Sequence, residues 1–564
     1  MALFKKIFSK NPASDDQMAD KLAQLRRQEE EQRTKDLATK LGLPYLNLAA
    51  LPIQGDALGL IDEKEAKTGQ LAIIQKSGFE IKAALADPKN SVTLGILDRL
   101  KQQKLNVAVF LVSRSSLQKA WQTYQKVTRA GAKITEEVSL RSTDLKQISQ
   151  EVKTLADVKN KLGSLKEESA TGFLEIIIAG ALANSASDIH IEKEEKQALL
   201  RYRLDGMLQD TAPLPPKVYS LLLSRIKLLA NITLNVRDQA QDGRFSIALD
   251  EKDIEVRVSV IPGAYGENIV MRILNPADIE LGLERLGFRP DALKFMQKEI
   301  RRPNGIIVTT GPTGSGKTTT LYAFLKSVTR PEIKIITLED PIEYHLSGIT
   351  QTQVEAERGY TFASGLRAIL RQDPDVILVG EIRDKETAEV ALQAALTGHI
   401  VFSTLHTNDA AGAIPRFIDL GANPTTLSAG LIDIMAQRLL RRVCQKCQES
   451  YSPSAEETAK IKKALADWPK KVPAPEFSEK TKLVRGRGCP ACNNTGYKGR
   501  IAVYEIIPVT PEIEKLITKS PSHAEVLETV KKGQGFVSLH QDGLLKVLSG
   551  ITTLAELESV VGQS

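Results

Sequence analysis

The sequence predicts a multi-domain α/β protein, and three observations support this fold class. The chain has 564 residues, which is too long for one hydrophobic core and suggests three or four domains. Between residues 276 and 510, strand-like apolar runs alternate with helix-like segments, which predicts a mostly parallel sheet with crossover helices. Residues 166–275 contain a helix followed by alternating strands, with a hairpin turn signal at Asp205-Gly206.

The composition is that of a globular protein with an aliphatic core: 42% of residues are hydrophobic and 5% aromatic. There are 76 basic and 69 acidic residues, and the net charge of +7 is spread without a long basic block. This distribution argues against a dedicated nucleic-acid binder. No apolar run approaches the roughly 18 residues of a membrane span, and the start MALFKKIFSKNPASDD lacks the features of a secretory signal. We therefore expect neither a membrane-spanning helix nor a signal peptide.

Changes in composition divide the chain into six predicted segments. Residues 1–40 are expected to form a charged helix and tail, and residues 41–128 a small α/β domain. Residues 129–165 are rich in charge and contain no aromatic residue, which predicts a linker that is part helix and part disordered. The other three segments are a second domain over 166–275, the main α/β domain over 276–510 and short helices over 511–564.

The stretch GPTGSGKTTT begins at Gly311, between an apolar strand pattern and a helix pattern. Gly311, four further residues and then Gly316-Lys317-Thr318 match the P-loop in full. In this motif, backbone amides and the positive helix N-terminus hold phosphate, the lysine reaches the β- and γ-phosphates, and the Thr318 hydroxyl ligates Mg²⁺. The residues predicted to bind nucleotide here are Gly311, Pro312, Thr313, Gly314, Ser315, Gly316, Lys317, Thr318 and Thr319.

Two further strand patterns end in carboxylates. The strand DVILVGE ends at Glu381, with Gly380 at the position where an acidic residue usually precedes it; Glu381 is predicted to orient or deprotonate the attacking water. The strand in IKIITLEDPIEYH is followed by Glu339, Asp340 and Glu343, which are expected to help hold Mg²⁺, directly or through water. A turn at Asp340-Pro341 is the structural alternative.

A third strand pattern, VFSTLHTND, ends in the polar residues Ser403, Thr404 and His406. Beside a P-loop, such residues can sense the γ-phosphate, and we expect this of His406. The alternative is a purely structural histidine.

The four cysteines form two pairs, Cys444 with Cys447 and Cys489 with Cys492, each with two residues between its members. This spacing is typical of a zinc site with four thiolate ligands, in an element that covers residues 444–492. Such a site is structural because it leaves no open coordination position. A thioredoxin-like redox motif is the competing interpretation.

These motifs occur together in one known superfamily. GPTGSGKTTT, LEDPIEY, LRQDPDVILVGEIRD and STLHTND, in this order, resemble the Walker A, Asp box, Walker B and His box of the secretion ATPases that drive type II secretion and type IV pili. ASDIHIE, RYRLDG, QDGRFS, VRVSVIP and GENIVMRIL are similar to the second domain of these motors. The resemblance covers about residues 30–560 and implies a RecA-like P-loop ATPase domain preceded by a PAS-like α+β domain and a small N-terminal α/β domain.

The resemblance also implies how the motor works. It implies a homohexamer that hydrolyses Mg²⁺-ATP between the small domain and the RecA-like domain, at the cytoplasmic face of the inner membrane, and turns a platform protein there. By motif, Arg257 and Arg272 are the arginines of the small domain that supply charge to the transferring phosphate. Arg367 and Arg371 are expected to contact the nucleotide across the subunit boundary.

The four-cysteine element and the long N-terminal region resemble pilus assembly and secretion motors rather than retraction motors. We therefore expect a pilus assembly ATPase, with type II secretion as the alternative. The opening domain resembles one that binds cyclic di-GMP in some relatives, and a membrane-embedded adaptor is the other candidate partner. Rival functions are a retraction motor, a RecA-like nucleic-acid motor and a scaffold that does not hydrolyse nucleotide; we expect no nucleic-acid partner.

Overall fold

A computed structural model gives the structure of the protein. It describes residues 29–48, 55–58, 60–77, 80–102, 106–121, 142–165, 169–249, 252–275, 282–478, 480–533 and 535–562. The chain divides into two compact units, Met1–Ser139 and Leu140–Ser564, and each unit is described by itself. Most of the segment predicted as a charged tail, residues 1–28, and the first part of the predicted linker lie outside the described residues.

The first unit is built on a three-stranded sheet of order β1-β2-β3. The first two strands are antiparallel and the last two are parallel. Apolar residues of the sheet, such as Ile73 and Leu111, are fully buried against the helices. The strands are Leu71–Ser77, Glu80–Leu85 and Asn106–Leu111, and the helices are 29–41, Gly55–Leu58, Glu63–Thr68, Ser91–Gln102 and 114–121.

The second unit begins with an antiparallel subdomain. Its six strands have the order β6-β5-β4-β9-β8-β7. Asp205 and Gly206, with φ of 48° and 89°, form the two-residue turn between β5 and β6, which confirms the predicted hairpin. The strands β4 to β9 are Asp188–Lys193, Ala198–Leu204, Met207–Leu214, Gln241–Leu249, Lys252–Gly263 and Gly266–Leu274; the helices are Ser142–Glu151, Leu155–Gly163, Ala170–Ala183 and Pro216–Leu229.

The packing of these helices follows their sequences. Ala170–Ala183 is apolar around most of its circumference, and eight of its residues are buried. Ser142–Glu151 and Leu155–Gly163 lie in the segment that was predicted as a linker. Each buries apolar residues of one side, among them Leu145 and Val158, in the same core as the six-stranded sheet. These few apolar residues, spaced at helical intervals, are enough to give a highly charged stretch one packed face.

The parallel-sheet subdomain completes the second unit. Its seven strands have the order β12-β11-β13-β14-β10-β15-β18, and only β18 runs antiparallel to its neighbour. A two-stranded sheet, β16 with β17, lies outside it. The strands β10 to β18 are Gly305–Thr310, Ile335–Glu339, Thr350–Gln353, Val376–Val379, Ile400–Leu405, Leu431–Val443, Gln448–Tyr451, Leu483–Gly486 and Tyr497–Pro508.

Helices cover both faces of this sheet. Strands β10, β13 and β14 are buried along their whole length, as expected for parallel strands between helical layers. The last four helices share the core with the sheet through residues such as Ile517 and Leu557. The helices are Pro290–Glu299, Lys317–Val328, Phe362–Ile369, Lys385–Leu396, Ala413–Asp419, Pro424–Gly430, Ala455–Ala466, Pro511–Ile517, His523–Lys532, Leu539–Leu548 and Leu554–Val561.

The prediction of a multi-domain α/β protein with a mostly parallel sheet is confirmed. Among the described residues, no helix combines the length and the apolar content that a bilayer crossing requires. Because β10, β11, β13 and β14 run in the same direction, the residues that follow them meet at one edge of the sheet.

Asp433 leads to a first prediction, about stability. It lies on β15, is 1% exposed, and neither carboxylate oxygen has a hydrogen-bond partner among the described residues. Burial, reinforced by the charge of Glu299, raises the pKa of Asp433 from its ordinary value of 3.8 to about 8. Between these two values the folded state keeps a proton that the unfolded state has released. The free energy of unfolding should therefore fall as pH rises through this window, by about 1.4 kcal/mol per pH unit.

Asp433→Asn removes this titration while keeping the size of the side chain. We expect the variant to be more stable than the wild type at pH 8, with a smaller difference at pH 5. Denaturant unfolding at the two pH values measures this. The exposed Asp419, changed to Asn, is the control. An equal effect of Asp433→Asn at both pH values would contradict the prediction.

Candidate functional site

The loop after β10 has the geometry of a phosphate cradle. Gly311, Gly314 and Gly316 all have positive φ, at 149°, 79° and 87°. A Cβ at Gly311 would lie 2.6 Å from the backbone oxygen of Gln437, and a Cβ at Gly316 would lie 2.8 Å from its Nε2. Glycine is therefore required at both positions, by conformation and by space. The loop leads directly into the N-terminus of the helix Lys317–Val328.

Polar groups in this loop fit an anion. The Ser315 hydroxyl is buried and has no hydrogen-bond partner among the described residues. Lys317 Nζ donates to the backbone oxygens of Gly311 at 2.8 Å and Pro312 at 3.1 Å, so it lies over the loop. Burial lowers the pKa of Lys317 to about 8; Glu381 opposes this shift and Arg438 adds to it. A bound phosphate would place a negative charge beside this lysine and favour its charged form.

The other predicted residues of the loop are more open. Pro312, Thr313, Gly314 and Thr318 are exposed, and Thr319 is half-buried. Thr318 lies in the first turn of the helix, where its hydroxyl is accessible to a metal ion bound to phosphate.

Glu381 and His406 are brought together by neighbouring strands. Glu381 lies two residues beyond the end of β13 and is 8% exposed. Its Oε2 lies 3.3 Å from His406 Nε2, and its Oε1 lies 2.5 Å from Arg383 Nη2. The carboxylate is thus held from two sides, in a site where its charge also acts on Lys317.

The hydroxyls of Ser403 and Thr404 are used within the sheet and are therefore not available to sense phosphate. Both are buried, and their hydroxyls donate to the backbone oxygens of Val379 at 2.8 Å and Gly380 at 2.7 Å. These two hydrogen bonds tie β14 to the end of β13 and so fix the backbone directly before Glu381. Of the three polar residues on this strand, His406 alone reaches Glu381.

Glu339 is engaged inside the protein. It is 4% exposed, and its carboxylate accepts hydrogen bonds from the Tyr322 hydroxyl, from Thr337 Oγ1 at 2.6 Å and from Gln351 Nε2 at 3.2 Å. Tyr322 lies on the P-loop helix. Glu339 therefore links that helix to β11. Asp340, the next residue, is exposed.

The two arginines predicted in the small domain have different partners in the structure. Arg257 on β8 donates from Nη1 to Glu343 Oε2 at 2.7 Å and also binds the backbone oxygen of Ile342. Arg272 is the residue opposite Arg257 on β9, but its Nε donates to Asp188 Oδ1 at 2.9 Å. Arg257 thus connects the antiparallel subdomain to the Asp box, whereas Arg272 is held within its own subdomain.

Arg367 and Arg371 lie on the surface of the parallel-sheet subdomain. Arg367 Nη1 is 2.7 Å from Glu386 Oε1, and both side chains are about half exposed. Arg371 is exposed in the short turn Leu370–Gln372 that follows. Neither is directed by these contacts toward the P-loop of its own chain.

The four cysteines form a cluster with the dimensions of a zinc site. Their Sγ atoms all lie within 4.8 Å of one another. Three of the separations are 3.9, 3.8 and 3.7 Å, for Cys444 with Cys489, Cys447 with Cys492, and Cys489 with Cys492. A tetrahedral zinc with Zn–S bonds of about 2.3 Å places its sulfurs about 3.8 Å apart. The cluster therefore fits zinc.

The turn after Cys492 contacts the antiparallel subdomain, which the sequence did not indicate. Asn493 accepts from the backbone N–H of Leu155 at 2.9 Å and donates to Asn184 Oδ1 at 3.0 Å. Nearby, Asp205 Oδ2 accepts from Gly499 N–H at 2.8 Å. The cysteine element is thus one of the places where the two subdomains meet.

Sequence reasoning also missed Arg383, Gln437 and Arg438. Arg383 lies in the motif LRQDPDVILVGEIRD, two residues after Glu381, so this short spacing could have predicted that the two side chains meet. Gln437 and Arg438 follow the part of β15 that pairs with β10, and only the sheet order brings them to the P-loop.

Comparisons with known proteins show the family of the chain. Residues 164–559 match the family model described as type II/IV secretion system protein, and residues 41–131 match the MshEN domain. The type IV pilus assembly ATPase PilB of Myxococcus xanthus is 35% identical over 537 residues, which cover 95% of this chain and 91% of that protein. The type II secretion system protein E of Pseudomonas aeruginosa is 41% identical over 437 residues, which cover 77% of this chain and 83% of that protein.

Among solved structures, the ATPase DotB of Yersinia pseudotuberculosis has a TM-score of 0.50 and 22% identity, and it covers 69% of this chain and 93% of its own. This likeness concerns the fold. Together with the P-loop geometry, the family match and the relatives establish that the chain belongs to the type II/IV secretion system protein family and is an ATP hydrolase with a RecA-like domain.

Proposed function

We propose that the protein is a hexameric motor that hydrolyses ATP to drive pilin assembly, and hence type IV pilus extension, through an inner-membrane platform protein. The motor function rests on one combined observation: Glu381 meets His406 beside the P-loop lysine, and Arg257 from the antiparallel subdomain binds Glu343, which follows β11 of the same sheet. The motor would work on the cytoplasmic side, peripheral to the membrane.

Coverage supports pilus assembly over type II secretion. The pilus assembly relative matches 95% of this chain, which includes most of the opening unit, whereas the type II secretion relatives match 72% to 88% of it. The secretion relative is the more identical of the two over the part it covers, and a type II secretion ATPase that drives pseudopilus assembly is therefore the alternative.

For hydrolysis we propose roles residue by residue. Lys317 and the loop amides hold the β- and γ-phosphates, and Thr318 holds Mg²⁺, which when bound neutralises phosphate charge. Glu381 orients and deprotonates the attacking water. His406 and Arg383 fix the direction of its carboxylate, because each lies on a different oxygen.

The arginines are proposed to couple hydrolysis to movement. Arg257 binds the Glu343 carboxylate, so a change at the nucleotide that displaces Glu343 would move the antiparallel subdomain with it. Arg272 would need to leave Asp188 before it reaches phosphate. The exposed Arg367 and Arg371 are proposed to act on the nucleotide of the neighbouring subunit in a homohexamer.

We propose roles in this motor for two further parts of the chain, the cysteine cluster and the opening unit. The cysteine cluster is proposed to hold a structural zinc. The opening unit is proposed to regulate the motor by binding cyclic di-GMP or a membrane-embedded adaptor, and the MshEN match over residues 41–131 supports a regulatory role. Equilibrium dialysis with labelled cyclic di-GMP distinguishes the two ligands.

Glu381→Gln tests the hydrolytic mechanism. The amide keeps the size of the side chain but cannot accept the proton of water, so ATP turnover should fall by a factor of about 10² to 10⁴ while ATP binding survives. Turnover and nucleotide affinity are measured on the purified chain with Mg²⁺, and its mass with ATP bound should be that of six chains.

The control for this experiment is Glu389→Gln, the same change on an exposed helical position next to the site. Its turnover should equal that of the wild type. Equal turnover in Glu381→Gln and the wild type would contradict the assignment of Glu381 as the residue that activates water. Glu343 would then be the next candidate, because Glu339 is engaged by Tyr322 and Thr337. A chain that binds ATP only as a monomer would contradict the hexamer.

Zinc content tests the cysteine cluster. We expect one zinc per purified chain by elemental analysis and loss of that zinc in Cys489→Ser, because three thiolates leave the tetrahedral site open. Lys446→Ala, an exposed change between two of the ligands, should keep the metal. A zinc-free wild type with a disulfide between paired cysteines would support the redox interpretation instead.

Deletion of the gene tests the cargo. Loss of surface pili with unchanged protein export is the result expected of a pilus assembly motor, and the chain carrying Glu381→Gln should fail to restore pili. Loss of export in cells that keep their pili would overturn this assignment in favour of type II secretion.

A further inference from the structure

Two residues of β15, Gln437 and Arg438, lie against the phosphate loop. The parallel pairing of β15 with β10 ends where Thr310 lies opposite Ala436. The next residues of the two strands are Gly311 on one side and Gln437 on the other. Both are at the carboxyl edge of the sheet, where ligands bind in folds of this type.

Gln437 supports both ends of the loop. It is 1% exposed, and its Oε1 accepts from Thr320 Oγ1 at 2.9 Å in the P-loop helix. Its Nε2 packs on Gly316 and its backbone oxygen on Gly311, at the two positions where a Cβ would clash. The rigid backing of the loop therefore comes from this residue.

Arg438 extends the contact to a second loop. Its Nη1 donates to the backbone oxygen of Gln437 at 3.0 Å and would lie 3.1 Å from a Cβ at Gly311. Its Nη2 donates to the backbone oxygen of Asn408 at 2.5 Å. Asn408 is two residues beyond His406. One planar guanidinium thus joins the His406 loop (residues 406–409) to the backbone of Gln437, beside Gly311.

The His406 loop is also anchored on both sides of Asn408. Thr407 N–H donates to Thr310 Oγ1 at 2.8 Å, and Asp409 Oδ2 lies 2.8 Å from His523 Nε2. Arg438 provides the contact at the residue between these two anchors. With Thr407 and Asp409 held on either side, the Arg438 contact fixes the remaining residue of the loop that carries His406, whose imidazole lies 3.3 Å from Glu381.

We propose that Arg438 is a positioning residue for ATP hydrolysis: it ties the His406 loop to the backbone of Gln437, beside the first glycine of the P-loop, and thereby sets the contact between His406 and Glu381. The inference deepens the proposed function and rests on the roles given there to Glu381 and His406. Arg438 is assigned this indirect role because its two hydrogen bonds go to the backbone oxygens of Gln437 and Asn408.

Arg438→Lys is the test substitution. Lysine keeps the positive charge but has no planar fork, so it cannot hold both carbonyls in this geometry. We expect kcat to fall by roughly tenfold, because a small misplacement of a catalytic group is costly, while the KM for ATP and the thermal unfolding midpoint stay near those of the wild type. Arg442→Lys makes the same change four residues further along β15 and should leave all three quantities unchanged.

A double-mutant cycle on kcat separates positioning from a general structural effect. If Arg438 acts through His406, then Arg438→Lys should cost almost nothing further in a His406→Ala background. Additive losses would overturn the inference, and so would an Arg438→Lys variant whose loss appears in the unfolding midpoint or in KM instead of kcat.

Failure of the inference and failure of the proposed function are distinguishable in the same set of proteins. Unchanged turnover in both Glu381→Gln and His406→Ala contradicts the proposed catalytic roles. A normal Arg438→Lys protein, in a set where Glu381→Gln and His406→Ala are impaired, contradicts this inference alone.

Discussion

The position of β10 between β14 and β15 is the constraint on which the candidate site depends. All three strands run in parallel, and β10 pairs with each neighbour along nearly its whole length. This register places the P-loop beside the end of β14, which leads to His406, and beside Gln437 on β15. A shift of one residue in either pairing would move the end of one strand by about 3.3 Å relative to its neighbour and separate these groups.

Buried hydrogen bonds also hold the strands and the P-loop helix in place around the site. The hydroxyls of Ser403 and Thr404 tie β14 to the end of β13, and Glu339 ties β11 to the P-loop helix through Tyr322. A buried polar group that lost its partner would be costly, so each contact resists movement of the edge it supports. Glu381 can therefore approach His406 and Arg383 from a backbone that is held in place.

The antiparallel subdomain meets this edge and the cysteine element at separate points. At the edge, Arg257 binds Glu343; at the cysteine element, Asn493 binds Leu155 N–H and Asn184. The first contact joins charged side chains and depends on the Asp box. The second depends on a turn shaped by the cysteine pair. The two contacts therefore lie at different candidate sites, the nucleotide site and the cysteine cluster.

The sequence by itself determined the features that are local. The P-loop could be recognised because its glycines, lysine and threonine act within one turn of chain, and the cysteine pairs because each chelates within a few residues. The hairpin at Asp205-Gly206 and the alternation that predicts a parallel sheet are local for the same reason.

Only the tertiary structure decided which of several similar residues face the site. Glu339 and Glu381 both lie at the ends of buried strands, yet packing turns Glu339 toward Tyr322 and Thr337 and leaves Glu381 with His406 and Arg383. Arg257 and Arg272 were indistinguishable by motif; pairing of β9 with β4 places Arg272 beside Asp188, and packing of the two subdomains places Arg257 beside Glu343. The support from Gln437 and Arg438 arises from residues about 120 positions beyond the P-loop, because sheet order is set by long-range burial.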